Sequence, residues 1–152
     1  HLPEYASVLE AIRATARILH RDTGRRRTAL RAIAELRDAR AVPMLITVLD
    51  DEDEGVRGEA HRTLVGLTKQ DFGDQRKRWE LWAEKNVQRH RIEWLIEGLL
   101  HNDEPLRAAA GEELKRITQE YYGYHPGSPR RERERVHGKY LQWWESEGKS
   151  KF

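Results

Sequence analysis

VPMLITVLDDEDEGVRGEAHRTLVGLT (residues 42–68) and IEWLIEGLLHNDEPLRAAAGEELKRIT (residues 92–118) carry one pattern twice, fifty positions apart with no gap. Leu45 falls on Leu95, Ile46 on Ile96, Leu49 on Leu99, Asp53 on Asp103 and Arg57 on Arg107. Ala60, Leu64 and Thr68 fall on Ala110, Leu114 and Thr118, and beyond the quoted stretches Gly73 falls on Gly123. A period of roughly 20–50 residues marks stacked supersecondary units, none of which can bury its apolar face alone. The pattern implies an all-α, right-handed α-solenoid of about eight helices with no sheet.

Outward from these copies, the spacing predicts the individual helices. Arg57, Ala60, Leu64 and Leu67 are three, four and three apart, as are Arg107, Ala110, Leu114 and Ile117. Upstream, Arg26, Ala29, Ile33 and Leu36 repeat that spacing. It lays one apolar stripe along a helix of period 3.6. Before each stripe helix comes a shorter apolar segment and an acidic or polar turn, whose carboxylates suit the free N–H groups and positive dipole end of the next helix.

After the last two stripes comes a Thr, then an aromatic–Gly turn, then a helix with a Trp pair: Trp79 and Trp82, or Trp143 and Trp144. Gly73 and Gly123 are expected at positive φ where a helix ends. The second version carries about a dozen extra residues, near Tyr124 to Arg135, a length that a surface insertion tolerates. One domain over 1–152 is expected, with units near 5–38, 40–87 and 90–148.

The totals exclude several classes. Hydrophobic residues make up 38% and charged residues 36%, a polar balance that suits an elongated helical array. Arg and Lys nearly cancel against Asp and Glu to leave +2, which argues for faces of mixed sign over a uniformly basic one. With no cysteine, thiolate zinc sites, disulfides and cysteine nucleophiles are excluded. No apolar run approaches the roughly 18 residues needed to span a bilayer. A chain opening on His1 is expected to be a processed form or an excised piece, and its compartment reads as cytoplasmic with an exported mature form left open.

These stretches resemble HEAT repeats of the short bacterial kind, related to the PBS-lyase HEAT-like and armadillo-type arrays. The marks are Pro43 near the start of the first helix, the acidic turn, and Val56-Arg57 opening the second. The likeness runs from Arg25 to Asn86 and from Arg91 to Gly123. The resemblance implies an interaction scaffold, and it implies that Arg26, Arg57 and Arg107 reach acidic turns or carbonyls of the adjoining unit, Asp53 and Asp103 being candidates. Fold likeness alone does not establish function.

Each conspicuous residue has two readings. Recurrence of the tryptophans favours packing over an aromatic platform, with Trp82 and Trp144 closing the core and Trp79 and Trp143 partly exposed. The segment HPGSPRRERERVHGK (125–139) is peculiar to the third unit. Its Arg130, Arg131, Arg133 and Arg135 either meet an anionic partner or form an ordinary solvated helix face of alternating sign. The histidines lack metal-pair spacing, and no phosphate loop or nucleophile elbow occurs. No cofactor or metal is expected.

The reading is therefore a non-catalytic protein-interaction scaffold or adaptor, a monomer or part of a longer chain, with a protein partner. Its candidate contacts are Arg31, Glu35, His61, Glu112, Lys115, Arg130, Arg131, Arg133 and Arg135. The alternative is nucleic-acid binding through the basic clusters, and a phycobilin-lyase-like role stands third.

Overall fold

A computed structural model describes Arg13, Ile18 and His20–Phe152 of the chain. The expected first helix, SVLEAIRATARIL, lies outside the described residues except at Arg13 and Ile18. The rest is helical: α1 (Thr23–Leu36), a 3₁₀ turn (Ala39–Ala41), α2 (Val42–Val48), α3 (Glu54–Thr68) and α4 (Arg76–Asn86). Then come α5 (Arg91–Gly98), α6 (Glu104–Thr118), α7 (Arg130–Trp143), a π-helical turn (Trp144–Gly148) and a last helical turn (Lys149–Lys151). Among the described residues there is no strand, so the all-α class read from the periodicity is the one the chain has.

The chain divides into two compact units. One holds residues up to Leu67 with Asp71–Gln88, and the other Thr68–Gln70 with Arg89–Phe152. In the first, α2 packs on α4; in the second, α5 packs on both α6 and α7.

The duplicated stretches fold alike. Helices α3 and α6 start and stop at matching positions, and the shared stripe of Ala60, Leu64 and Thr68 or Ala110, Leu114 and Thr118 is buried in both. The turn ahead of each stripe helix is built the same way three times. Asp22, Asp53 and Asp103 each accept a hydrogen bond from the backbone N–H three residues on, at 3.1, 2.9 and 3.2 Å. Each satisfies one of the N–H groups that a helix start leaves open. The N–H of each of these aspartates in turn donates to the side chain two residues back: His20, Asp51 or His101. Two histidines with no evident sequence role are thus turn acceptors.

The helix ends correct one expectation. Gly73 and Gly123 do sit at φ 58° and 74°, but in the following loop. Arg37, Lys69 and Gln119 take the left-handed conformation just after α1, α3 and α6. At the last two exits a threonine hydroxyl, Thr68 or Thr118, accepts the N–H two residues on at 3.1 Å.

The tryptophan assignment is also corrected. Trp79 is fully buried and Trp143 and Trp144 are both buried, whereas Trp82 is only half-buried. Trp79 packs edge-on to Phe72 with ring centres 4.9 Å apart, and Tyr140 packs on Tyr122 in the same way at 4.8 Å. Tyr140, then, is the counterpart of Trp79, and the offset between the copies has grown from 50 residues at the turn to 61 on the helix. Counted on that register Trp143 answers Trp82, and the adjacent Trp pair of the second copy is no match for the spaced pair of the first. In each copy the central ring's polar atom donates to a loop carbonyl at 2.9 Å, Trp79 Nε1 to Gly73 and the Tyr140 hydroxyl to Glu120. Burial pushes the Tyr140 hydroxyl up to about 12.

Candidate interaction surfaces

The three repeated arginines hold up the frame. Nη1 of Arg26 donates to the carbonyls of His20 and Arg21, that of Arg57 to Asp51 and Glu52, and that of Arg107 to His101 and Asn102. Each guanidinium folds back over the turn that precedes its own helix, in the same two steps of five and six residues. Their partners are not the carboxylates of Asp53 and Asp103, which already cap helices. Arg26 also reaches Asp51 at 3.1 Å, and Arg107 Nε donates to Pro126 at 2.9 Å. A guanidinium offers five N–H donors in a fixed fork, which suits adjacent carbonyl oxygens and leaves these arginines little to offer a partner.

A different arginine set meets on the first unit. Oε1 of Glu59, on α3, lies 3.2 Å from Arg62, 3.6 Å from Arg31 and 4.0 Å from Arg27. Arg31 and Arg62 are 60% and 64% exposed at the side chain, against 17% for Glu59. Glu35 is exposed on α1, and His61 Nε2 lies 2.8 Å from Asp71, tying its half-exposed ring to the loop after α3.

The second unit holds a buried charge cluster. Lys69 Nζ is 3.2 Å from Glu113 Oε1, and the Arg91 guanidinium pairs with the other carboxylate oxygen. Burial alone would raise the Glu113 carboxyl, but Arg91 and Lys69 outweigh it and hold it below its ordinary value. Thr63 and Ala41 stand at the matching positions of Glu113 and Arg91 in the other copy, so the cluster is not part of the repeat.

The insertion is tied down at its start. Tyr124 is buried, its hydroxyl donates to Leu99 at 2.5 Å, and its ring lies over Gly111, where an added Cβ would sit 2.9 Å from it. Glu112 and Lys115 come together here. With Tyr121, Tyr124 and Pro126 they line a shallow cavity of about 90 Å³, and Lys115 Nζ stands 4.6 Å from the centre of the exposed Tyr121 ring.

Helix α7 does not gather its arginines into one cationic cluster. Arg130 Nε donates to Glu134 at 2.8 Å, Arg135 Nε to Glu132 at 3.1 Å, and Arg133 Nε to the Ser128 carbonyl at 2.9 Å, while Arg131 is exposed. The pairs follow the spacing that lets opposite charges meet on one helix face.

Sequence reasoning found Arg31, and Arg27 as part of the basic cluster Gly24–Arg27, but missed Glu59 and Arg62 around them. The available signal was register: counted from Arg26 and Arg57, Arg31 and Arg62 occupy one repeat position, and Glu59 stands three residues before Arg62. Among the described residues no cluster of His, Asp and Glu could hold a metal ion, and no helix is long and apolar enough to cross a membrane.

No curated protein and no solved structure matches the chain. Residues 9–78, which hold part of the turn, stripe and capping pattern described above, match the family of HEAT repeats.

Proposed function

We propose that the chain is a non-catalytic scaffold or adaptor that binds a protein or peptide partner through the exposed faces of its stripe helices. HEAT repeats are generally protein-interaction modules. The observation that carries the reading is a constant frame with individual outward residues. Helices α3 and α6 share their bounds, buried stripe, capping aspartate and folded-back arginine. Their positions off the stripe differ: Glu59, His61 and Arg62 in one are Ala109, Gly111 and Glu112 in the other, with Arg62 and Glu112 exposed. Repeat arrays recognise partners through such per-unit variation on a fixed support.

The basic clusters support nucleic-acid binding less well. Phosphate recognition needs cations free to release counterions, and Arg130 and Arg135 already pair with carboxylates of their own helix.

The test is affinity capture with the whole chain as bait, beside a variant carrying Arg31→Glu, Glu35→Lys and Glu112→Lys. A protein retained by the native chain and lost by the folded variant is the expected result. Equal retention by both, or none by either, refutes the reading.

A further inference from the structure

Resting on the scaffold reading, we infer that the surface formed by Arg27, Arg31 and Arg62 around Glu59 docks a carboxylate-rich segment of a partner protein. Three guanidiniums share one carboxylate oxygen at 4.0, 3.6 and 3.2 Å, which leaves the patch two charges in surplus. A single acceptor occupies few of their N–H groups, and the exposed Arg31 and Arg62 hold most of their donors toward solvent. The planar fork of arginine matches a carboxylate with two parallel hydrogen bonds, so an incoming Asp or Glu side chain finds both charge and shape.

Two further observations separate this patch from ordinary surface charge. It is individual to its place, because the residues answering Glu59 and Arg62 in the other copy are Ala109 and Glu112. Its floor is also cut away, since Gly55 lies beneath Arg27, where an added Cβ would be 3.2 Å from the guanidinium carbon. Glycine early in a helix has a cost in stability, and here it lets the side chain lie flat on the backbone. Arg26, Arg57 and Arg107 spend Nη1 on turn carbonyls and do not compete for the role. A peptide segment fits better than a nucleic acid, because three cations around one carboxylate make a compact spot, whereas a phosphate backbone is held by a longer run of cations.

The experiment measures fluorescence anisotropy of a labelled, amidated decapeptide of alternating Asp and Glu against the whole chain, with a Gln/Ser decapeptide as control. The expected result is binding that weakens as salt rises, falls about tenfold in Arg31→Glu/Arg62→Glu, and tightens in Glu59→Gln, which removes the patch's one negative charge. Should the double variant fail to melt cooperatively, Glu59→Gln decides the matter, since its effect runs in the opposite direction from damage. Binding no tighter than the Gln/Ser control, binding unmoved by these substitutions, or displacement by an oligonucleotide at lower concentration than by unlabelled peptide overturns the inference. A partner captured equally by the native chain and Arg31→Glu/Arg62→Glu sinks this docking surface while leaving the scaffold reading standing.

Discussion

Lys69 reaches across to Glu113 at 3.2 Å, and both side chains are only 7% exposed. Lys69 stands just beyond α3 in the left-handed conformation, which turns its side chain inward where a helical residue would continue along the surface. Arg91 closes the cluster from α5. Burying charge is costly unless it is paired, so the three groups depend on one another.

Removing the central carboxylate strands two cations. Glu113→Ala is expected to cost about 3–5 kcal/mol, the loss typical of breaking a buried pair from one side. Replacing all three together (Lys69→Met, Glu113→Leu and Arg91→Met) is expected to bring stability back near the native value, because no charge is then left unpaired. Urea unfolding of both variants measures the difference. A triple variant as weak as the single one contradicts the account.

The same cluster fixes the acid side of the stability curve. The Glu113 carboxyl is held below its usual 4.5, so its contribution is present above that value and is lost as pH falls through the folded pKa. His137 acts earlier. Burial lowers its pKa from 6.5, and Glu97 and Glu134 only partly oppose that. A depressed folded pKa means that the unfolded chain takes up the proton first, so stability begins to fall as pH drops below 6.5. His90 is lowered from the same value, also by burial, with Glu93 opposing, and adds in the same direction. Unfolding free energies measured from about pH 8 down to about pH 2, a range that spans histidine and carboxylate titration, are expected to fall in two stages. His137→Gln is expected to make the upper stage shallower, with His90 still contributing, and to leave the lower one. A variant with an unchanged upper slope removes His137 from the explanation.

What the chain discloses in one dimension is whatever repeats locally. The stripes of Ala60, Leu64, Ala110 and Leu114, the capping aspartates and the positive-φ glycines all follow from spacing a few residues wide. The charge clusters do not. Lys69 and Glu113 are far apart in sequence and meet through packing alone, and the three arginines on Glu59 come from two different helices. Mixed-sign composition hid both clusters, since every charged residue in them also had a plausible place on a solvated face.

Register after the insertion was hidden for a related reason. Adjacent tryptophans invite pairing Trp79 and Trp82 with Trp143 and Trp144, but the edge-on contacts align Trp79 with Tyr140. That alignment sets unequal costs on two neighbouring substitutions. Trp79→Ala is expected to cost about 3–5 kcal/mol, since a fully buried indole leaves a cavity and the Gly73 carbonyl loses its donor. The half-buried Trp82 loses less to the same truncation. Thermal melts of the two variants check the order, and a Trp82→Ala that melts as low as Trp79→Ala overturns the register.

Glycines of the second unit give the sharpest local test, because Gly98, Gly111 and Gly138 all sit in helices while their surroundings differ. A methyl at Gly98 would stand 2.8 Å from the Ala110 Cβ and 2.9 Å from the Lys69 Cβ. One at Gly111 would press on the Tyr124 ring at 2.9 Å, and that ring is held by its hydrogen bond to Leu99. Nothing lies within 4 Å of the corresponding point at Gly138. Gly138→Ala is therefore expected to stabilise by about 0.5–1 kcal/mol through helix propensity alone. Gly98→Ala and Gly111→Ala are expected to destabilise by about 1–3 kcal/mol, overpacking outweighing that gain. Adding Tyr124→Leu to Gly111→Ala makes room for the new methyl. The paired variant should then lose less than the two separate losses combined, and denaturant titration of the double-mutant cycle reads that difference directly. Strict additivity would mean that Gly111 is not there to admit the ring.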